Sequence, residues 1–196
     1  MDEATPTDLA PLREPPAAPQ VATHNFRFSE DYDLYPSGAK TKYKNNVMAI
    51  KLLKQIELEK RTATPEEQII LARYVGWGGL ANAFSSTASG WENEYQELKS
   101  LLTDVEYKAA MNSTITAYYT EPDLIRHIYR ALERFGFEGG PDRKILDPGM
   151  GTGNFYSVLP EQFQGSKLFG VELDSITGRI AKQLYPDADI SIMGYE

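Results

Sequence analysis

Residues 145 to 155 read Ile145-Leu146-Asp147-Pro148-Gly149-Met150-Gly151-Thr152-Gly153-Asn154-Phe155, an apolar run that ends in an acid and passes at once into alternating glycines. With Lys144 before it, the run predicts a short buried strand over 144–147. Gly149, Gly151 and Gly153 let the backbone turn tightly and approach a ligand closely. The carboxyl end of a strand, a glycine loop and a helix N-terminus together form the crevice in which open α/β sheets bind nucleotide-like ligands.

The stretch downstream carries the second half of the signal. A short helix to about residue 162 and a strand over 167–172 bring Glu172 to a strand end about twenty residues past the glycines, where an acid can accept hydrogen bonds from both ribose hydroxyls. A helix over 175–185 and a third strand over 188–193 complete a β-α-β-α-β series, which implies a parallel, doubly wound sheet. A dinucleotide fingerprint wants glycine first, third and sixth, whereas here Asp147 and Pro148 open the motif, and no Gly-Lys-Ser or Gly-Lys-Thr follows for a phosphate loop. The pattern favours S-adenosylmethionine over NAD. Upstream, Thr120-Glu-Pro-Asp123 predicts a helix start, with Leu124, Ile125, Ile128, Leu132 and Phe135 on one face and Gly136 as the stop.

These residues carry a family resemblance. The run from Asp147 to Phe155 resembles the Asp-Pro-x-x-Gly-x-Gly-x-Phe cofactor motif of adenine-specific DNA amino-methyltransferases, and Ala117-Tyr118-Tyr119-Thr120-Glu121-Pro122 is similar to the motif that precedes it. The resemblance implies a Rossmann-like, S-adenosylmethionine-dependent fold in which Tyr119, Thr120 and Pro122 contact the methionine part of the cofactor. It also implies that Asp147 serves the cofactor's amino group and that Phe155 packs nearby. Gly149, Gly151, Gly153 and Glu172 complete the implied set.

Further upstream, the run from Tyr43 to Asn45, Thr64-Pro-Glu-Glu67 and Tyr74-Val-Gly-Trp-Gly-Gly-Leu80 are similar to the N-terminal region of very large methylase-helicase proteins of phages, plasmids and conjugative elements. Those proteins are associated with DNA modification and with protecting incoming DNA from host restriction. The likeness runs from about Phe26 to the end. The family transfers the methyl group with an Asn/Asp-Pro-Pro-Tyr/Phe motif, which this sequence lacks, since Pro15-Pro16 follow Arg13-Glu14 in the proline-rich N-terminus. The family's sheet also has more strands than the three read here. Catalysis by this chain alone is therefore not expected, and the open sheet edge is a candidate partner surface.

The preceding residues read as helical. Ala49, Leu52, Leu53 and Ile56 predict an amphipathic helix over 46–61, with Lys40-Thr-Lys-Tyr-Lys44 as a solvated basic loop before it. Thr64, Pro65 and Glu67 form a capping-box start for a helix running to Gly76. Gly76-Trp77-Gly78-Gly79 breaks it, with Trp77 as a structural anchor in preference to a base-stacking platform. Trp91, Tyr95, Leu98 and Leu102 mark the next helix, and Thr103 with Glu106 opens one through Met111. The organisation is thus a disordered tail over 1–25, a helical region over 26–113 and a truncated methyltransferase half-domain over 114–196.

Composition narrows the function. There is no cysteine, which excludes disulfides and thiolate zinc sites, and His24 and His127 are too few for a histidine-rich metal centre. Asp174, Asp187 and Asp189 read as caps and solvated turn residues, not ligands of a metal. No stretch approaches the roughly 18 apolar residues of a membrane span, so a cytoplasmic protein without a membrane partner is expected. A net charge of -8 argues against a free-standing duplex binder, because Lys and Arg neutralising phosphates dominate such affinity. Two functions follow. One is the cofactor-binding part of an adenine-specific DNA methyltransferase of a mobile element, meeting DNA through a further segment. The other is a stand-alone counter-defence protein, of anti-restriction or anti-CRISPR type, whose negative surface blocks a host nuclease complex.

Overall fold

A computed structural model describes residues 24–35 and 37–195. The expected tail lies outside the described residues except for His24 and Asn25. Among the described residues seven α-helices and three strands follow in order: α1 Ala39–Leu58, α2 Pro65–Ala72, α3 Glu92–Leu101, α4 Asp104–Ser113, α5 Pro122–Arg134, β1 Lys144–Asp147, α6 Asn154–Ser157, β2 Lys167–Glu172, α7 Ser175–Leu184 and β3 Asp189–Ile192. No helix among the described residues is long and apolar enough to cross a membrane.

Local chemistry sets the helix starts. Thr64 accepts the Glu67 N–H while the Glu67 side chain accepts the Thr64 N–H, and Thr103 and Glu106 repeat the arrangement one helix pair later. Each box satisfies two backbone donors that a helix N-terminus otherwise leaves orphaned. Two starts differ from expectation. The basic run over 40–44 is helical, because Tyr43 continues the face of Val47 and Ile50 into the core and is only 2% exposed. Its Lys40 pairs with Glu94 at 2.5 Å and sits 4.0 Å from the centroid of a Trp91 ring, so it serves helix packing. The α5 N-cap is Glu121, without a side-chain cap bond, and Thr120 lies one residue outside the helix. Helix α2 ends at Ala72, short of Gly76.

The sheet is parallel with order β1-β2-β3, pairing Lys144 with Lys167 and Phe169 with Asp189. This is the expected mixed α/β arrangement with a three-stranded parallel sheet. Strand β1 is not the buried strand that its apolar residues predict: Leu146 is 50% exposed. It pairs only with β2 among the described residues, and most of the expected apolar face of α5 is open too, with Leu124, Ile128 and Phe135 exposed. Parallel sheets are ordinarily covered on both faces, which makes this side of the molecule unusual.

The helical region and the sheet share one core. Buried Gln68 on α2 donates to the Gln183 carbonyl at 2.9 Å and the Leu184 carbonyl at 3.3 Å, capping the end of α7, while the Gln183 side chain accepts the Ala63 N–H. Arg179 on α7 bridges Glu57 of α1 at 2.9 Å and Glu106 of α4 at 2.5 Å. The segment before α1 also lies on the α/β half, with the Phe26 N–H bonded to the Leu184 carbonyl and the Phe28 N–H to the Ser157 carbonyl. The crevice above the sheet is therefore framed by both parts of the chain.

Candidate functional site

A cavity of about 490 Å³ opens at the carboxyl ends of β1 and β2, within the range typical of small-molecule sites. Strand β1 delivers Asp147 to it and β2 delivers Glu172, while the loop between β1 and α6 supplies Gly149 and Gly151 and α6 supplies Phe155. Tyr119 and Thr120 close it from the connection between α4 and α5. Seven of the nine residues expected at the site thus share one cavity. Pro122 and Gly153 do not line it: Pro122 is buried as the first residue of α5, and Gly153 sits under the Tyr185 ring as the N-cap of α6.

The acids are held in place by backbone. One Glu172 oxygen accepts the Gly151 N–H at 2.9 Å and the other accepts the Asp174 N–H at 2.8 Å, so the strand end and the glycine loop are tied through this side chain. A carboxylate offers about four lone-pair positions, which leaves two for a ligand. Burial raises the Glu172 pKa from its ordinary value, with backbone donors, those of Asp174 and Gly151 foremost, opposing it. Burial raises Asp147 likewise, and among the described residues its side chain accepts only a long 3.4 Å contact from the Gly149 N–H. Asp174 caps α7 by accepting both the Thr177 N–H and the Thr177 hydroxyl, which is the capping role expected of it.

The residues not anticipated form the opposite wall. Tyr74, Gly76 and Asn112 reach the cavity from the helical region, Thr116 comes from the connection between α4 and α5, and Leu173, 77% exposed, follows Glu172. Burial pushes the Tyr74 and Tyr119 phenols well up. No spacing rule marks these positions, because they converge only through tertiary packing; Tyr74 and Gly76 carry a signal only as part of the Tyr74–Leu80 run, which does not point to a cavity. Trp77 is 1% exposed and packs edge-on against Phe84 and Tyr74, so it is an anchor and presents no face to a base. His127 is exposed on α5, with Nδ1 2.7 Å from the Asp123 carbonyl.

The electrostatics of the cavity are one-sided. Three carboxylates line it, those of Asp147, Glu172 and Asp174, and no Lys, Arg or His does so among the described residues. Such a site disfavours phosphates and suits a neutral or cationic ligand, above all where burial leaves the acids short of counter-charge.

Comparison with known proteins adds a direction. No protein-family model matches the chain. No solved structure matches it. Over 151 residues, 77% of its length, the chain is 25% identical to "Defense against restriction protein B" of Escherichia phage P1. The matched stretch amounts to 5% of that protein's length, so the chain spans a small part of this relative.

Proposed function

We propose that this protein acts against host restriction as a counter-defence component of a mobile genetic element, and that its crevice takes S-adenosylmethionine. The likeness to a phage protein named for defence against restriction carries the first part. The convergence of Asp147 and Glu172 in a cavity that, among the described residues, no cationic side chain lines supports the second. S-adenosylmethionine carries a sulfonium and an ammonium group, and three carboxylates suit both. Asp147 would hold the amino group, and Glu172 would accept the ribose hydroxyls on the lone pairs left by Gly151 and Asp174. Tyr119, Thr120 and Phe155 would wall the methionine end. When bound, the cofactor supplies an electrophilic methyl group; no residue of this chain is assigned to hold the acceptor amine.

Two routes to protection fit these parts. Blocking of a host nuclease complex is favoured by the net charge of -8, which suits a basic protein groove. Modification of DNA is favoured by the resemblance to adenine-specific methyltransferases, with DNA meeting a further segment, since the acids of the crevice repel phosphate. The experiment is a digestion of unmodified target DNA by the host restriction complex, with the protein added with and without S-adenosylmethionine. Protection without cofactor supports blocking. Protection that needs cofactor and persists after the protein is removed supports modification. Digestion unchanged in both arms overturns the counter-restriction role.

A further inference from the structure

The Gly76-Trp77-Gly78-Gly79 turn lies some seventy residues before the glycine loop in sequence, yet the two meet through one ring. Asn46, wholly buried in α1, uses both ends of its amide on this turn: Nδ2 donates to the Gly76 carbonyl at 2.6 Å, and Oδ1 accepts the Val75 N–H at 2.9 Å. Gly76 has φ of +69°, and a methyl group built on it would stand 2.6 Å from Cε2 of Tyr119. A methyl group built on Gly151, with φ of +56°, would collide with Cε1 of the same ring from the other side. Tyr119 is therefore clasped between two glycines, one from each part of the chain. Beyond the ring, the Gly151 N–H is bonded to Glu172. Contact is thus continuous from a buried carboxamide in the helical region to an acid of the crevice.

We infer that Asn46 and Gly76 are positioning residues of the crevice: they press Tyr119 onto Gly151 and so hold the glycine loop in the shape that brings its amide to Glu172. A wall built only for packing would not need the turn to be flat where it meets the ring. An α-carbon bearing any side chain at position 76 would push Tyr119 away, and the loop would lose the surface on which it rests. The helical region then acts as part of the ligand site, not as an appendage beside it. The inference rests on the proposed ligand site only for its effect on affinity; the contact chain itself is a property of the protein without ligand.

The test compares Gly76→Ala with Gly79→Ala in the full chain. Gly79 has φ of +74° and nothing within 4 Å of a built methyl group, so it carries the same backbone strain without touching Tyr119. Hydrogen exchange of the Gly151 amide, followed by NMR without ligand, is the first readout. Gly76→Ala is expected to speed it by about tenfold or more, and Gly79→Ala by no more than about twofold. Equal acceleration in both, or none in Gly76→Ala, overturns the inference. If Gly76→Ala does not fold, Tyr119→Leu removes the ring without straining either glycine, and unchanged Gly151 exchange there overturns it equally. The second readout is titration with S-adenosylmethionine, where Gly76→Ala is expected to bind about tenfold more weakly than Gly79→Ala. A wild-type protein that gives no binding would refute the proposed cofactor while the exchange result still decides the contact chain.

Discussion

Glu106→Gln tests whether the helical region and the α/β half are one cooperative unit. The Glu106 side chain is 10% exposed and meets three partners: the Thr103 N–H at 2.9 Å, Lys54 at 2.9 Å and Arg179 at 2.5 Å. Burial works to raise its pKa, but the Thr103 amide, Lys54 and Arg179 outweigh it and bring the value down to about 2, from 4.5. A shift of that size corresponds to a ceiling of about 3 kcal/mol. Lys54 and Arg179 remain 31% and 28% exposed, so solvent screens the pairs. The expected loss at pH 7 is therefore about 1–2 kcal/mol. Glutamine keeps the capping box, which accepts Glu or Gln, so the loss isolates the charge. A folded pKa below the unfolded value means that the stabilisation is fully present above about pH 5 and fades as the pH falls toward 2. Urea unfolding of wild type and variant at pH 7, 5, 4 and 3 should show the gap closing by about half at pH 3. A gap below about 0.3 kcal/mol at pH 7, or one that does not narrow in acid, would refute the reasoning.

Trp77→Ala should destabilise the protein by about 3–5 kcal/mol, read as a lower urea midpoint, because the ring is enclosed by Tyr43, Tyr74 and Phe84. A loss under about 1 kcal/mol would return Trp77 to the candidates for a surface role. Asp147→Asn should raise the thermal midpoint of the unliganded protein while weakening S-adenosylmethionine binding, since burial disfavours the Asp147 charge and, among the described residues, only Gly149 donates to it. A lowered midpoint contradicts that. Ligand affinity should fall with acidification while exposed carboxylates are still ionised, because Asp147 and Glu172 both have raised pKa values and lose their charge first. Affinity that holds steady until ordinary carboxylates protonate would show that neither acid faces the ligand.

Much of this was legible where the chemistry is local. The bounds of β1 and β2 coincide with those read from the apolar runs, and the two capping boxes follow from a Thr and a Glu three residues apart. The same locality brought Asp147, Gly149, Gly151 and Glu172 to one crevice, because strand ends in a parallel sheet lie side by side. What stayed hidden is non-local. Nothing in the spacing of Tyr74, Gly76, Asn112 or Thr116 says that they will face Asp147 across a cavity. The start of α1 is not legible because Tyr43 reads as one aromatic among lysines, and only its packing against Trp77 and Trp91 places it in the core. Strand β1 reads as buried from Ile145 and Leu146, but exposure depends on neighbours that pattern cannot supply.

Calorimetric titration with S-adenosylmethionine of the wild type, Asp147→Ala and Glu172→Ala bears most directly on the proposed crevice. Saturable binding by the wild type, weakened by about tenfold or more in each variant, is the expected result. A folded wild-type protein that gives no heat, or variants that bind as tightly as it does, would contradict the assignment.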